Sequence, residues 1–198
     1  MNTTRRVAAV LAAAALTLSA CGDDTDEAAS SIPESQPFNQ ADVDFATDMI
    51  IHHSQALTMV DLAAPRPGLS PKLMALLEEI RNAQTQEAEL MTDWLEDWGQ
   101  PVPNNPRSHG GMDHDEAEDM ASDMPGMMSD DEMGMLEDAD GDAFEEMWLE
   151  MMVEHHEGAI EMAEAEADDG EFHDTVELAE QIATTQAAEV EQMEKLLD

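Results

Sequence analysis

Two pairs of adjacent histidines, His52-His53 and His155-His156, stand in matching surroundings 103 residues apart. Met49-Ile50-Ile51-His52-His53-Ser54-Gln55-Ala56-Leu57-Thr58-Met59 recurs as Met152-Val153-Glu154-His155-His156-Glu157-Gly158-Ala159-Ile160-Glu161-Met162. The first methionine, both histidines, the alanine and the second methionine keep their places. Imidazole and thioether together favour soft ions such as Cu(I) or Ag(I) over Fe, Mg or Ca. His52, His53, His155 and His156, with Met49, Met59, Met152 and Met162, are therefore the candidate metal ligands.

A second repeat accompanies the first. Ile80-x-x-x-Gln84-x-x-Glu87-x-x-x-Met91 matches Ile182-x-x-x-Gln186-x-x-Glu189-x-x-x-Met193. At about 100° per residue, both histidines of each pair flank an apolar helix stripe, and Glu87 and Glu189 fall in the middle of one. A buried carboxylate costs several kcal/mol unless it is paired or bound to a metal. Glu87 and Glu189 are thus expected either to orient the imidazoles or to ligate directly, with Gln84, Gln186, Met91 and Met193 beside them. Di-iron bundles use Glu-x-x-His on two helices and a single Glu on the other two. Here the corresponding motif is Met49-x-x-His52 and Met152-x-x-His155, which moves the expectation from iron to copper.

These residues need helices to position them. Asn39 caps a periodic segment that runs to Ala64, and Pro65 and Pro67 stop it. Ser70-Pro71 opens the next helix, to about Trp98. Ser129-Asp130-Asp131-Glu132 is a capping box for a short helix to Ala139. Asp142 and Glu145 are expected to cap a third long helix to about Asp168, and a fourth runs from about Glu171 to Leu197. No strand-like alternation interrupts the pattern. The fold class is all-α: a four-helix bundle of two helix-pair repeats (38–100 and 142–198) with a short extra helix. A long Met/His/Asp-rich middle connection (101–141) joins the halves. Its His109, Met112, His114, Met120, Met124, Met127 and Met128 form a candidate auxiliary metal-binding segment; the alternative is a low-complexity linker with some packing methionines.

The ends and the charge bound the setting. Arg5 and Arg6 precede the apolar run Val7–Leu18, too short to span a bilayer comfortably. Leu18-Ser19-Ala20-Cys21 then has the form of a lipoprotein cleavage box, so residues 1–20 are expected to be a signal peptide and Cys21 a lipidation site. Residues 21–37 are an acidic tether to the lipid, and 38–198 form the bundle. The expected location is the extracytoplasmic face of a bacterial membrane, with the membrane reached only through lipid. A formal net charge of −40 opposes nucleic acid as a partner and leaves a metal ion as the favoured one. No nucleophile–base pair, phosphate loop or dinucleotide motif is visible, so no enzyme is expected.

Phe45–Val60, Phe144–Glu164 and the approach Pro125-Gly126-Met127-Met128-Ser129 resemble the domain-of-unknown-function family 305. The resemblance covers roughly Phe38 to Leu197. It implies a ferritin-like four-helix bundle, often exported or lipid-anchored, and a link to copper handling. One departure stands out: Ser54-Gln55 replaces the Glu-Gly that follows the second histidine pair, so the two half-sites are expected to differ. Three functions remain open: a lipoprotein that binds Cu(I) for buffering, tolerance or delivery; a ferritin-like iron-binding oxidase; and a metal-free envelope interaction protein with a polar structural core.

Overall fold

A computed structural model of the chain describes residues 38–103 and 124–198. Cys21, His109, Met112, His114 and Met120 lie outside the described residues, as do the leader and tether. Five helices make up the described fold: α1 (Gln40–Ala63), α2 (Pro71–Asp97), α3 (Asp130–Asp138), α4 (Asp142–Asp169) and α5 (His173–Leu197). Helix α1 packs on α2, α4 on α5, and α1 on α4. The all-α bundle expected from periodicity is what forms, with no strand among the described residues.

Local chemistry sets most helix starts. Asn39 accepts from the Asp42 amide while Asp42 accepts from the Asn39 amide, a reciprocal box that opens α1. Ser70 accepts from the Leu73 amide with proline in the first turn of α2, and Ser129 and Glu132 form the box of α3. Each such cap is worth about 1 kcal/mol.

Two helix starts differ from expectation. Asp142 is not the cap of α4. Gly141 occupies that place at φ 60° and supplies no side chain. Glu145 instead accepts from the Ser70 amide at 3.2 Å, reaching across to the start of α2. Helix α5 begins at His173 because the Asp42 carboxylate takes the amides of Glu171 and Phe172 and the Thr175 hydroxyl, holding the chain extended before the helix. Asp42 and Glu145 are themselves 103 residues apart. Each lies on the first helix of one pair and ties down the start of the second helix of the other pair, so the internal repeat extends to the loops.

The core is built in three layers. One apolar cluster gathers Ala56, Met59, Val60, Leu73, Ile80, Phe144, Trp148, Met152 and Met193. Another gathers Phe45, Met49, Ile50, Met91, Leu95, Ala159, Ala163 and Ile182. Between them every long helix carries a polar pair: His52 and His53, Gln84 and Glu87, His155 and His156, Gln186 and Glu189. Helix α1 enters through the second cluster and leaves through the first, and α4 does the reverse. A pseudo-two-fold axis across the bundle therefore passes through the histidine layer and exchanges the two apolar ends.

Aromatic packing closes the Met49 end, where Phe38 stacks on Trp98 at 4.4 Å and Phe172 meets Trp94 and Trp98 edge-on. At the other end the Trp148 indole donates to the Met59 carbonyl at 2.9 Å. Arg66 donates to the carbonyls of Glu137 and Ala139 and lies over the Phe144 ring, fixing α3 against the first helix pair.

Candidate metal centre

All four histidines of the repeated pairs are fully buried. His53 Nε2 lies 2.7 Å from Glu87 Oε2, and His156 Nε2 lies 2.9 Å from Glu189 Oε2. His52 Nε2 lies 3.1 Å from the Pro125 carbonyl oxygen. Carbonyl and carboxylate oxygens accept, so in each contact Nε2–H donates, and in a neutral imidazole so held Nδ1 carries the lone pair. The Nδ1 atoms of His52, His53 and His156 are buried with no partner, and His155 has neither ring nitrogen satisfied. The rings of His52 and His155 meet on the pseudo-axis with centroids 3.8 Å apart.

Burial decides the protonation of this central pair. It pushes the His52 imidazole down to about 3, helped by the neighbouring His53 and His156, while the Pro125 carbonyl offsets part of the effect. His155 is held well below its ordinary value by burial and then by the other three imidazoles, with the His52 backbone carbonyl offsetting a small part. Both are therefore free bases near neutral pH, the form in which imidazole binds metal.

Each glutamate meets the second histidine of a pair. The halves are not equal, however. The Glu189 side chain is 7% exposed and that of Glu87 17%, so Glu87 sits nearer the rim of its stripe than the middle. Gln84 and Gln186 are buried in the same layer with neither amide atom bonded. Met49, Met59, Met91, Met152 and Met193 are fully buried, split between the two apolar clusters that bracket the layer. Met162 is only half-buried, unlike its repeat counterpart Met59. Met128 is buried, and Met124 and Met127 are half-buried.

Three residues in the site were not marked as such by donor chemistry. The Gln55 amide pairs with the Met128 backbone in both directions, donating to its carbonyl at 2.7 Å and accepting from its amide at 2.7 Å. Pro125 supplies the carbonyl for His52. Gly158 provides the seat, since a Cβ there would overlap the Pro125 carbonyl. Gly126, at φ 74°, lies equally close to the α4 backbone at Glu154 and His155. The signal was present in the sequence. Gln55 and Gly158 occupy equivalent positions of the repeat, and glycine inside a helix costs about 1 kcal/mol relative to alanine, so it implies a close approach.

Among the described residues, no group of three or more His, Cys, Asp or Glu is arranged to hold one ion. The donor set instead offers neutral imidazole nitrogens flanked by thioethers. It fits a soft ion of low coordination number better than a hard or octahedral one.

A four-helix bundle of two related helix pairs, with a buried imidazole layer on its pseudo-axis, defines the class. Residues 42–197 match the family described as Domain of unknown function (DUF305), and the chain belongs to that family. Solved relatives share the fold. A DUF305 protein from Streptomyces coelicolor, whose description includes the word secreted, is 30% identical with a TM-score of 0.67, over 79% of this chain and 90% of that one. A DUF305 fragment from Deinococcus radiodurans is 28% identical with a TM-score of 0.67, over 82% and 98%. CopM in its Cu(II)-bound form is 25% identical with a TM-score of 0.62, over 79% and 95%; it is also solved in Cu(I)-bound and Ag-bound forms. No curated protein matches the chain. Among the described residues, no helix is long and apolar enough to cross a membrane.

Proposed function

We propose that this protein binds Cu(I) in the histidine layer of the bundle, as cargo to be buffered or delivered, and that it does so as a lipoprotein anchored through Cys21 outside the cell membrane. The observation that carries the reading is the set of buried, unpartnered Nδ1 atoms on His52, His53, His155 and His156. A lone pair left unsatisfied in a dry core costs about 1–3 kcal/mol, and a soft ion would repay it. Glu87, Glu189 and the Pro125 carbonyl act on the opposite ring nitrogen, where such partners orient a ligating imidazole and raise its basicity. The copper- and silver-bound forms of CopM support the same choice of ion. The reading is of a binding protein, with no reaction assigned to it.

Anaerobic Cu(I) titration against a chromophoric chelator tests this. The mature chain is expected to compete, His52→Ala with His155→Ala to lose at least about 100-fold in affinity, and deletion of residues 101–123 to leave the tight sites intact. Unchanged binding in the double variant would remove the histidine layer from the assignment. Tight binding lost with the deletion would place the ligands in the connection. A Cys21→Ala chain is expected to leave the membrane fraction; retention there would refute lipid anchoring.

A further inference from the structure

The half-site asymmetry has a structural purpose. His53 and His156 each have a glutamate on Nε2, but His52 lies too close to the pseudo-axis for one. Its partner is a main-chain carbonyl delivered by the segment Met124–Met128. That segment crosses the histidine layer and is gripped twice, by the bidentate Gln55 pair with Met128 and by the seat at Gly158. Gln55 and Gly158 are repeat equivalents, so a single pseudo-symmetric position performs both tasks: a long amide on one helix to clamp the strap, and no side chain on the other to admit it. A strap lying across a two-fold axis can satisfy only one member of an axial pair. His52 receives the Pro125 carbonyl, while His155 has no well-formed hydrogen bond on either nitrogen and only the His52 backbone carbonyl nearby.

We propose that Gln55 and Gly158 are positioning residues that hold the Pro125 carbonyl on His52 Nε2, fix His52 in its Nε2–H tautomer, and so present its Nδ1 to the metal. The strap is the third orienting arm of the centre, equivalent in effect to Glu87 and Glu189. This rests on the copper reading above for its purpose, but the tautomer itself is a property of the metal-free protein.

Ring-nitrogen NMR on the metal-free mature chain tests the arrangement. His52, His53 and His156 are expected to show the Nε2–H tautomer. Gly158→Ala keeps α4 helical, because alanine is the better helix former, but its Cβ displaces the strap. Gln55→Ala releases the same strap from the other side. Both variants are expected to turn His52 into a tautomer mixture and to leave His53 and His156 unchanged, which a global loss of structure would not do. Ag(I) affinity is expected to fall about 10- to 100-fold in both, the usual effect of losing an orienting partner. A His52 signal that is Nδ1–H in the native chain, or unaltered in both variants, overturns the proposal even if metal binds. Native-chain NMR as expected with no Ag(I) or Cu(I) bound would instead overturn the copper reading, and with it the strap's purpose.

Discussion

The two helix pairs start from nearly the same signature and end in different surroundings. In the second pair the His156–Glu189 contact is closed from solvent, and His155 makes no well-formed hydrogen bond on either nitrogen, with only the His52 backbone carbonyl nearby. In the first pair the His53–Glu87 contact is nearer the rim, and His52 is tied to a backbone carbonyl. An internal repeat duplicates donors but cannot duplicate what lies on its own axis. The single connection between the halves must pass one way, so one histidine of the axial pair is held and the other is not.

The largest test of this comparison is acid stability. His52 and His155, one from each half, are kept neutral by burial, so the unfolded chain binds more protons below about pH 6.5 than the folded one does. Stability they contribute is present above that pH and is lost as pH falls toward the depressed folded values, about 3 for His52, at up to ~1.4 kcal/mol per pH unit for each imidazole. His52→Gln and His155→Gln are each expected to flatten urea-midpoint profiles between pH 6.5 and 4 by one proton's worth. A change in only one variant would mean that the halves do not share the burden.

Glu166 offers the next sharpest contrast, because its repeat counterpart is Ala63 and only one half carries it. Burial pushes its carboxyl up to about 8; the Thr175 hydroxyl offsets part of this and the neighbouring Asp42 charge adds to it. With the folded value raised, its contribution is fully present below about pH 4.5 and is lost as pH rises toward 8, at no more than ~1.4 kcal/mol per unit. Glu166→Gln is expected to remove that decline, and a profile as steep as the native one would show that the group is already ionised in the fold. The smallest expected effect lies in the glutamates of the layer. Glu189→Ala should cost about 1 kcal/mol more than Glu87→Ala in denaturant titration, since Glu189 lies deeper and its removal leaves the buried imidazole N–H farther from water. Equal costs would mean that rim exposure at Glu87 does not distinguish the two contacts.

Much of this molecule is legible in the residues themselves. The Asn39, Ser70 and Ser129 starts are encoded within three or four positions, and so form as expected. The α5 start was not legible, because Asp42, which holds Phe172, lies 130 residues away, and the expected cap at α4 is missing because Glu145 is engaged with Ser70, 75 residues away, and Gly141 takes the cap position without a side chain. The four histidines lie in one buried layer, while the candidate methionines divide between the two apolar clusters and Met162 stays half-buried. Gln55 carried a readable signal, the break in the repeat, but its role depends on which loop crosses the layer.

The amino-acid sequence by itself determined the all-α class, the helix pairs, the internal repeat and the soft-donor character of the core, because periodicity, capping and residue type act over a turn or two of helix. Only the tertiary structure decided that His53 meets Glu87, that His156 meets Glu189, that the His52 and His155 rings meet, tilted, on the axis, and that Pro125 caps one of them. A helical wheel fixes which face a side chain occupies. It does not fix the axial register or rotation between helices. Those follow from packing two apolar clusters on either side of the polar layer, and from the seat that Gln55 and Gly158 give the segment Met124–Met128.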